Sequence, residues 1–204
     1  MIPSAASRVA VYYAPAVADP LSGLSAAWLG RDPERDVAVR QPDIPGIAEV
    51  TAEPRTYGFH ATLKPPMRLR PGTDIATLMQ AVTDLCAGIA PFDLPPLMVA
   101  NVHGFLALRE CEPSMMLQAL ADLCVAGLDR FRAAPDQAEL SRRRRAGLAP
   151  AQEAMLLEWG YPYVFATWLF HMTLTRRLDA DERGRYQVAA ERYFAPALAV
   201  PRRV

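Results

Sequence analysis

Apolar positions along the chain recur every three or four residues in some stretches and every second residue in others, and this pattern lays out the predicted elements. Arg8 to Tyr13 (RVAVYY), β-branched and aromatic and stopped by Pro15, predicts a first strand. Leu21, Leu24 and Trp28 give helical spacing over Pro20 to Leu29, with Gly30 to end the helix. Residues 31–46 are polar and proline-punctuated and predict a loop. Tyr57 to Leu63 predicts a strand closed by Pro65-Pro66. Thr73 to Ala90 predicts a helix capped by Thr73 or Asp74, with Ile75, Leu78, Met79, Val82 and Leu85 on one face. Strands follow near Asp93–Asn101 and His103–Leu108. From Pro113 to about Trp159 the chain reads as helical, broken at Gly147 and Pro150. A strand over Phe165 to Thr175 and a helix from Asp179 to about Tyr193 come last, with room for at most one short strand in ALAVPRRV.

Two of these predicted strands carry the same string. FHATL contains His60 and FHMTL contains His171, so two of the three histidines share one frame. Each strand is followed by a short basic link and a capped helix, an order that predicts an internal duplication with the helical middle as an insertion or bridge. Residues two apart in a strand point the same way. His60 and Thr62 therefore share one face, with Phe59, Ala61 and Leu63 on the other; His171 and Thr173 share a face against Phe170, Met172 and Leu174. The apolar faces are core. Polar side chains inside such strands need hydrogen bonds or a cleft.

Two histidines and two hydroxyls suit in-line cleavage of a phosphodiester. One imidazole serves as base at the attacking oxygen and the other as acid at the leaving oxygen, both near their working pKa at neutral pH. Threonine hydroxyls can donate to the non-bridging oxygens, where charge accumulates. This chemistry requires neither metal nor cofactor. A zinc site is the rival. It needs at least three protein ligands, neither motif has a neighbouring Asp, Glu or Cys, and His103 in NVHGF reads as a turn or strand-end residue.

Basic and acidic side chains balance at 22 each, so nothing global draws the chain to long nucleic acid or to an anionic membrane, and a phosphate would be met by a local pocket. Apolar residues are 51% of the chain, yet no run approaches a membrane span of about 18 residues. Cys86, Cys111 and Cys124, odd in number and without a C-x-x-C pair, point to reduced thiols. With no signal-peptide pattern in MIPSAASRVAVYYAP, the expected location is cytoplasmic.

FHATL and FHMTL resemble the paired motifs of the 2H phosphoesterase superfamily, which includes 2′–5′ RNA ligases and cyclic nucleotide phosphodiesterases. The longer strings YGFHATLKPP and WGYPYV…FHMTLTRRL look like one branch of it, uncharacterised proteins associated with bacterial phosphonate-utilisation operons. The resemblance implies an α+β, bilobal fold with two antiparallel sheets lining a central cleft and helices outside. On this chain the division would be lobe one over about 1–110, a helical insertion over about 112–159 and lobe two over about 160–204. Only 33 residues follow His171 (204 − 171), so the second lobe is either pared down or incomplete. His60, Thr62, His171 and Thr173 would carry over as the catalytic quartet. The implied substrate is a small cyclic phosphate or nucleotide-type phosphoester, with a ribose phosphate intermediate of phosphonate breakdown as the guess. Around the quartet, Lys64 and Arg176 are candidate phosphate ligands. Tyr57, Tyr161 and Tyr163 are candidates for stacking on a base or sugar, and Arg142, in the run Arg142 to Arg145, for an anion clamp. A non-catalytic nucleotide or RNA-end binding module and an RNA-end ligase are the alternatives.

Overall fold

The computed structural model describes residues 8–145 and 147–204. In chain order the elements are β1 (Val9–Tyr13), α1 (Pro20–Leu29), β2 (Arg31–Asp32), β3 (Val37–Ala38), α2 (Ile47–Val50), α3 (Ala52–Tyr57), β4 (Ala61–Met67) and α4 (Ile75–Ala87). They continue with β5 (Asp93–Leu94), β6 (Leu97–Val102), β7 (Phe105–Glu110), α5 (Met115–Gly127), α6 (Gln137–Arg144), α7 (Pro150–Trp159), β8 (Met172–Arg177), α8 (Ala180–Leu198) and β9 (Arg202–Arg203). The fold is mixed α and β. Its strands are grouped more finely than two sheets: among the described residues, β6-β7-β8 form a three-stranded antiparallel sheet, and β1-β4, β2-β3 and β5-β9 are pairs.

The chain divides into two compact units that interleave in sequence. The first holds residues 8–12, 62–92 and 115–169; the second holds residues 13–61, 93–114 and 170–204. Each unit thus draws on three stretches of chain. In the first unit Met67, Leu78, Ala81, Leu128 and Phe131 form a buried cluster with Val9, Val11, Leu69, Val82 and Leu85 packed against it. Here the predicted long helix is interrupted. Leu69 pairs with Arg132, and Ala133 N–H donates to Arg68 O at 2.8 Å, so the chain is extended where Pro135 forbids helix. In the second unit Trp28, fully buried, packs on Tyr193 and Phe194 at ring distances of 5.5 and 5.4 Å.

Each unit contains one copy of the strand-link-helix order. After β4, Asp74 caps α4 by accepting from Thr77 N–H at 2.7 Å; after β8, Asp179 caps α8 in a reciprocal box with Glu182. The motif strands begin later than the pattern predicts. Tyr57 ends α3, and Gly58 turns the chain at φ 76, where an added Cβ would stand 3.0 Å from Pro33. β4 then runs through Pro65-Pro66, because a strand with one paired edge can leave the proline nitrogens on the free edge. In the second copy Phe165–Thr167 is a 3-10 turn, with Phe165 at φ 51 and the Thr167 hydroxyl bonded to Pro162 O and Val164 O, and the strand starts only at Met172.

Candidate functional site

Burial alternates through both motifs as strand geometry requires. Phe59, Ala61 and Leu63 are buried while His60 and Thr62 are half-buried; Phe170, Met172 and Leu174 are buried while His171 and Thr173 are half-buried. His60 lies one residue before β4 and His171 one residue before β8.

Both histidines belong to the second unit, and they sense each other. Burial lowers the pKa of His60 from the ordinary histidine value, and the charge of His171 lowers it further; the Gly58 and Tyr57 carbonyls pull the other way. The His60 Nδ1 lies 3.1 Å from Gly58 O. A carbonyl can only accept, so neutral His60 carries its proton on Nδ1 and presents an Nε2 lone pair. Tyr57, exposed, stands edge-on to the His60 ring at 5.7 Å, and Phe105 lies 5.7 Å from the His171 ring.

The second motif strand is held from behind and from the side. Trp28 Nε1 donates to Leu174 O at 3.0 Å across 146 residues of chain, fixing β8 to the core. Thr173 pairs with Ala107 and Met172 with Leu108. Beyond Thr173 the register shifts, and the Thr175 hydroxyl accepts from Leu106 N–H at 3.0 Å, filling the gap in the ladder. Thr175 is thus a structural hydroxyl. His103 takes φ 49 in the turn between β6 and β7, as its strand-end reading expects.

The supporting residues fall out unevenly. Lys64 is 2% exposed, and its ammonium donates to Val125 O at 2.8 Å and to Asp129 at 3.2 Å, so it pins β4 to the end of α5. Strand parity aims it like His60 and Thr62, but its long stem ends in a buried ion pair. Arg176 is clamped by Glu182 through both carboxylate oxygens at 2.9 Å, and by Glu49 at 3.0 Å. Tyr161 and Tyr163, in the first unit, meet edge to face at 5.7 Å. Of the arginine run, Arg142 is exposed and Arg144 is paired with Glu153. Arg143 is the member turned inward, its guanidinium 4.5 Å from the Tyr161 ring centre. Trp168, also in the first unit, donates from Nε1 to Thr62 O at 2.9 Å. Its place three residues before His171 was the available signal.

Residues 62–204 match the model of a family described as a protein of unknown function, DUF1045. The chain is 41% identical over 201 residues to a protein of Janthinobacterium sp. (strain Marseille) named ribose 1,5-bisphosphate phosphokinase PhnN. It is 36% identical over 196 residues to a protein of the same name from Laribacter hongkongensis (strain HLHK9). Each alignment takes in 95% of this chain but only 44% and 46% of the relative, so the chain spans less than half the length of the curated relatives it matches. No solved structure matches it.

Proposed function

This chain belongs to the DUF1045 family, and we propose that it is a metal-independent phosphodiesterase of the 2H type acting on a small cyclic phosphate or nucleotide-type phosphoester. The observation that supports this most is the placement of His60 and His171 in one unit, each half-buried at the entry to a motif strand, where the charge of His171 adds to burial in lowering the pKa of His60. A charge on one histidine opposes a charge on the other, which favours the arrangement in-line cleavage needs, one imidazole neutral and one protonated. His60, depressed by burial and with Nε2 free of its proton, is the base that takes a proton from the attacking hydroxyl or water. His171 is the acid at the leaving oxygen. Thr173, in the same unit as both histidines, donates to a non-bridging oxygen.

The relatives' name supports a ribose phosphate as the substrate class, in keeping with the phosphonate-operon branch that the longer strings resemble. The phosphokinase in that name is less suited to this segment. The only lysine is Lys64, in HATLKPP, and the chain contains no G-x-x-x-x-G-K-[ST] loop to cradle nucleotide phosphates.

A pH–rate profile tests the roles. A base must be neutral to act, so kcat/KM falls as pH drops through the His60 pKa, which lies below the ordinary value of 6.5. The acidic limb is therefore expected below pH 6.5, and Tyr57→Ala, which exposes the His60 ring, is expected to move that limb upward. An acidic limb well above pH 6.5 in the wild type would take the base role from His60.

A further inference from the structure

Between the Pro95-Pro96 corner and the exposed Cys111, strand β7 ends in two charged residues that the sequence pattern leaves unassigned. Among the described residues, the Arg109 Nε and the Glu110 Oε2 are buried and have no hydrogen-bond partner. Their approach, Arg109 Nη2 to Glu110 Oε1, is 3.8 Å, an ion pair too long to be a hydrogen bond, so the two do not satisfy each other. Arg is a fork of five donors that matches a phosphoryl group, and the Arg109 side chain is 30% exposed, so its Nη end, held by this long ion pair, is open to an incoming acceptor.

The register says where that acceptor sits. β7 and β8 pair Leu108 with Met172 and Ala107 with Thr173. Arg109 and His171 are the next residues beyond the last pair, Leu108 with Met172, and carrying that register one step past the start of β8 sets them opposite each other on one face. The ring contact between Phe105 and His171 fixes the same face independently, since Phe105, Ala107 and Arg109 alternate together along β7. Met98, the partner of Arg109 on the β6 side, is 44% exposed, so this end of the face is open to solvent.

We infer that Arg109 is a phosphate ligand of the His60–His171 site, its Nη groups donating to the non-bridging oxygens of a phosphoryl group held beside His171. The inference rests on reading that site as a phosphoester site. It adds the fixed positive charge that the quartet lacks, in a position where neither Lys64 nor Arg176 is free, since both are held by carboxylates.

The test titrates inorganic phosphate into the full chain and follows the ring proton signals of the three histidines by NMR, assigned with single His variants. The wild type is expected to show saturable shifts at His60 and His171 and none at His103. Arg109→Met is expected to weaken that binding about tenfold or more, the size of one lost charge-assisted contact pair, and Arg109→Lys about threefold. Glu110→Gln, which removes only the long ion pair, is expected to stay within about twofold of the wild type. Should Arg109→Met fail to fold, the Lys variant decides. Wild-type affinity in the folded Arg109 variants, equal weakening in Glu110→Gln, or no phosphate response at either histidine overturns the inference. Arg109-dependent phosphate binding in a protein that turns over no cyclic ester leaves it standing and removes the hydrolase reading instead. Turnover that is indifferent to Arg109 does the reverse.

Discussion

Replacing His60 or His171 with alanine is expected to lower kcat for a cyclic phosphodiester by about 10²- to 10⁴-fold, the span that a positioned general acid or base contributes. The two losses are not expected to add. If the histidines act on one phosphorus in one step, the double variant falls little below the worse single one. Neither ring is among the fully buried side chains, so both variants are expected to keep the wild-type unfolding midpoint within a few degrees. The measurement is steady-state kinetics on wild type, both singles and the double, with thermal unfolding alongside. A loss confined to KM would make the pair a binding feature. A loss tracking the unfolding midpoint would make it a structural one.

The second large effect is on stability. Trp28 is fully buried, packs on Tyr193 and Phe194, and donates to Leu174 O in β8. Trp28→Ala removes about 3–5 kcal/mol of packing and leaves that carbonyl without its donor. For a chain of this size each kcal/mol shifts the midpoint by about 2–4 °C, so a fall of roughly 10 °C is expected. Val188→Ala, on the exposed side of α8, is the control and is expected to stay within about 0.5 kcal/mol. Chemical denaturation of both variants measures the difference. A cost below about 1 kcal/mol for Trp28→Ala would mean that β8 is anchored by other contacts. Because Leu174 follows Thr173, the same variant is also expected to lose activity below its midpoint if this anchor sets the motif geometry.

How far the sequence revealed this arrangement depends on the range of the interactions involved. The faces of both motifs were legible because strand alternation is local: three apolar residues behind, a histidine and a threonine in front, in each copy. The helix caps at Asp74 and Asp179 were legible for the same reason. What local pattern does not carry was decided across the chain. Lys64 obeys the alternation and still ends buried, because Asp129 and the end of α5 reach it from some 60 residues away. Arg142 and Arg143 cannot be ranked by helical spacing; the position of Tyr161 turns Arg143 inward. The helical middle was misread because the pairing of Leu69 with Arg132 keeps that segment extended, and a composition favouring helix does not record it. Arg109 draws notice only once the register of three strands is known.

We propose that a pair of histidines cleaves a small phosphoester without a metal. Its most direct test is turnover of a panel of 2′,3′-cyclic nucleotides and ribose cyclic phosphates by the wild-type chain in excess chelator, beside His60→Ala and His171→Ala. Hydrolysis of at least one ester that survives the chelator and is lost in both variants is expected. Hydrolysis that stops with the chelator, or a panel left wholly intact by a folded protein, would contradict it.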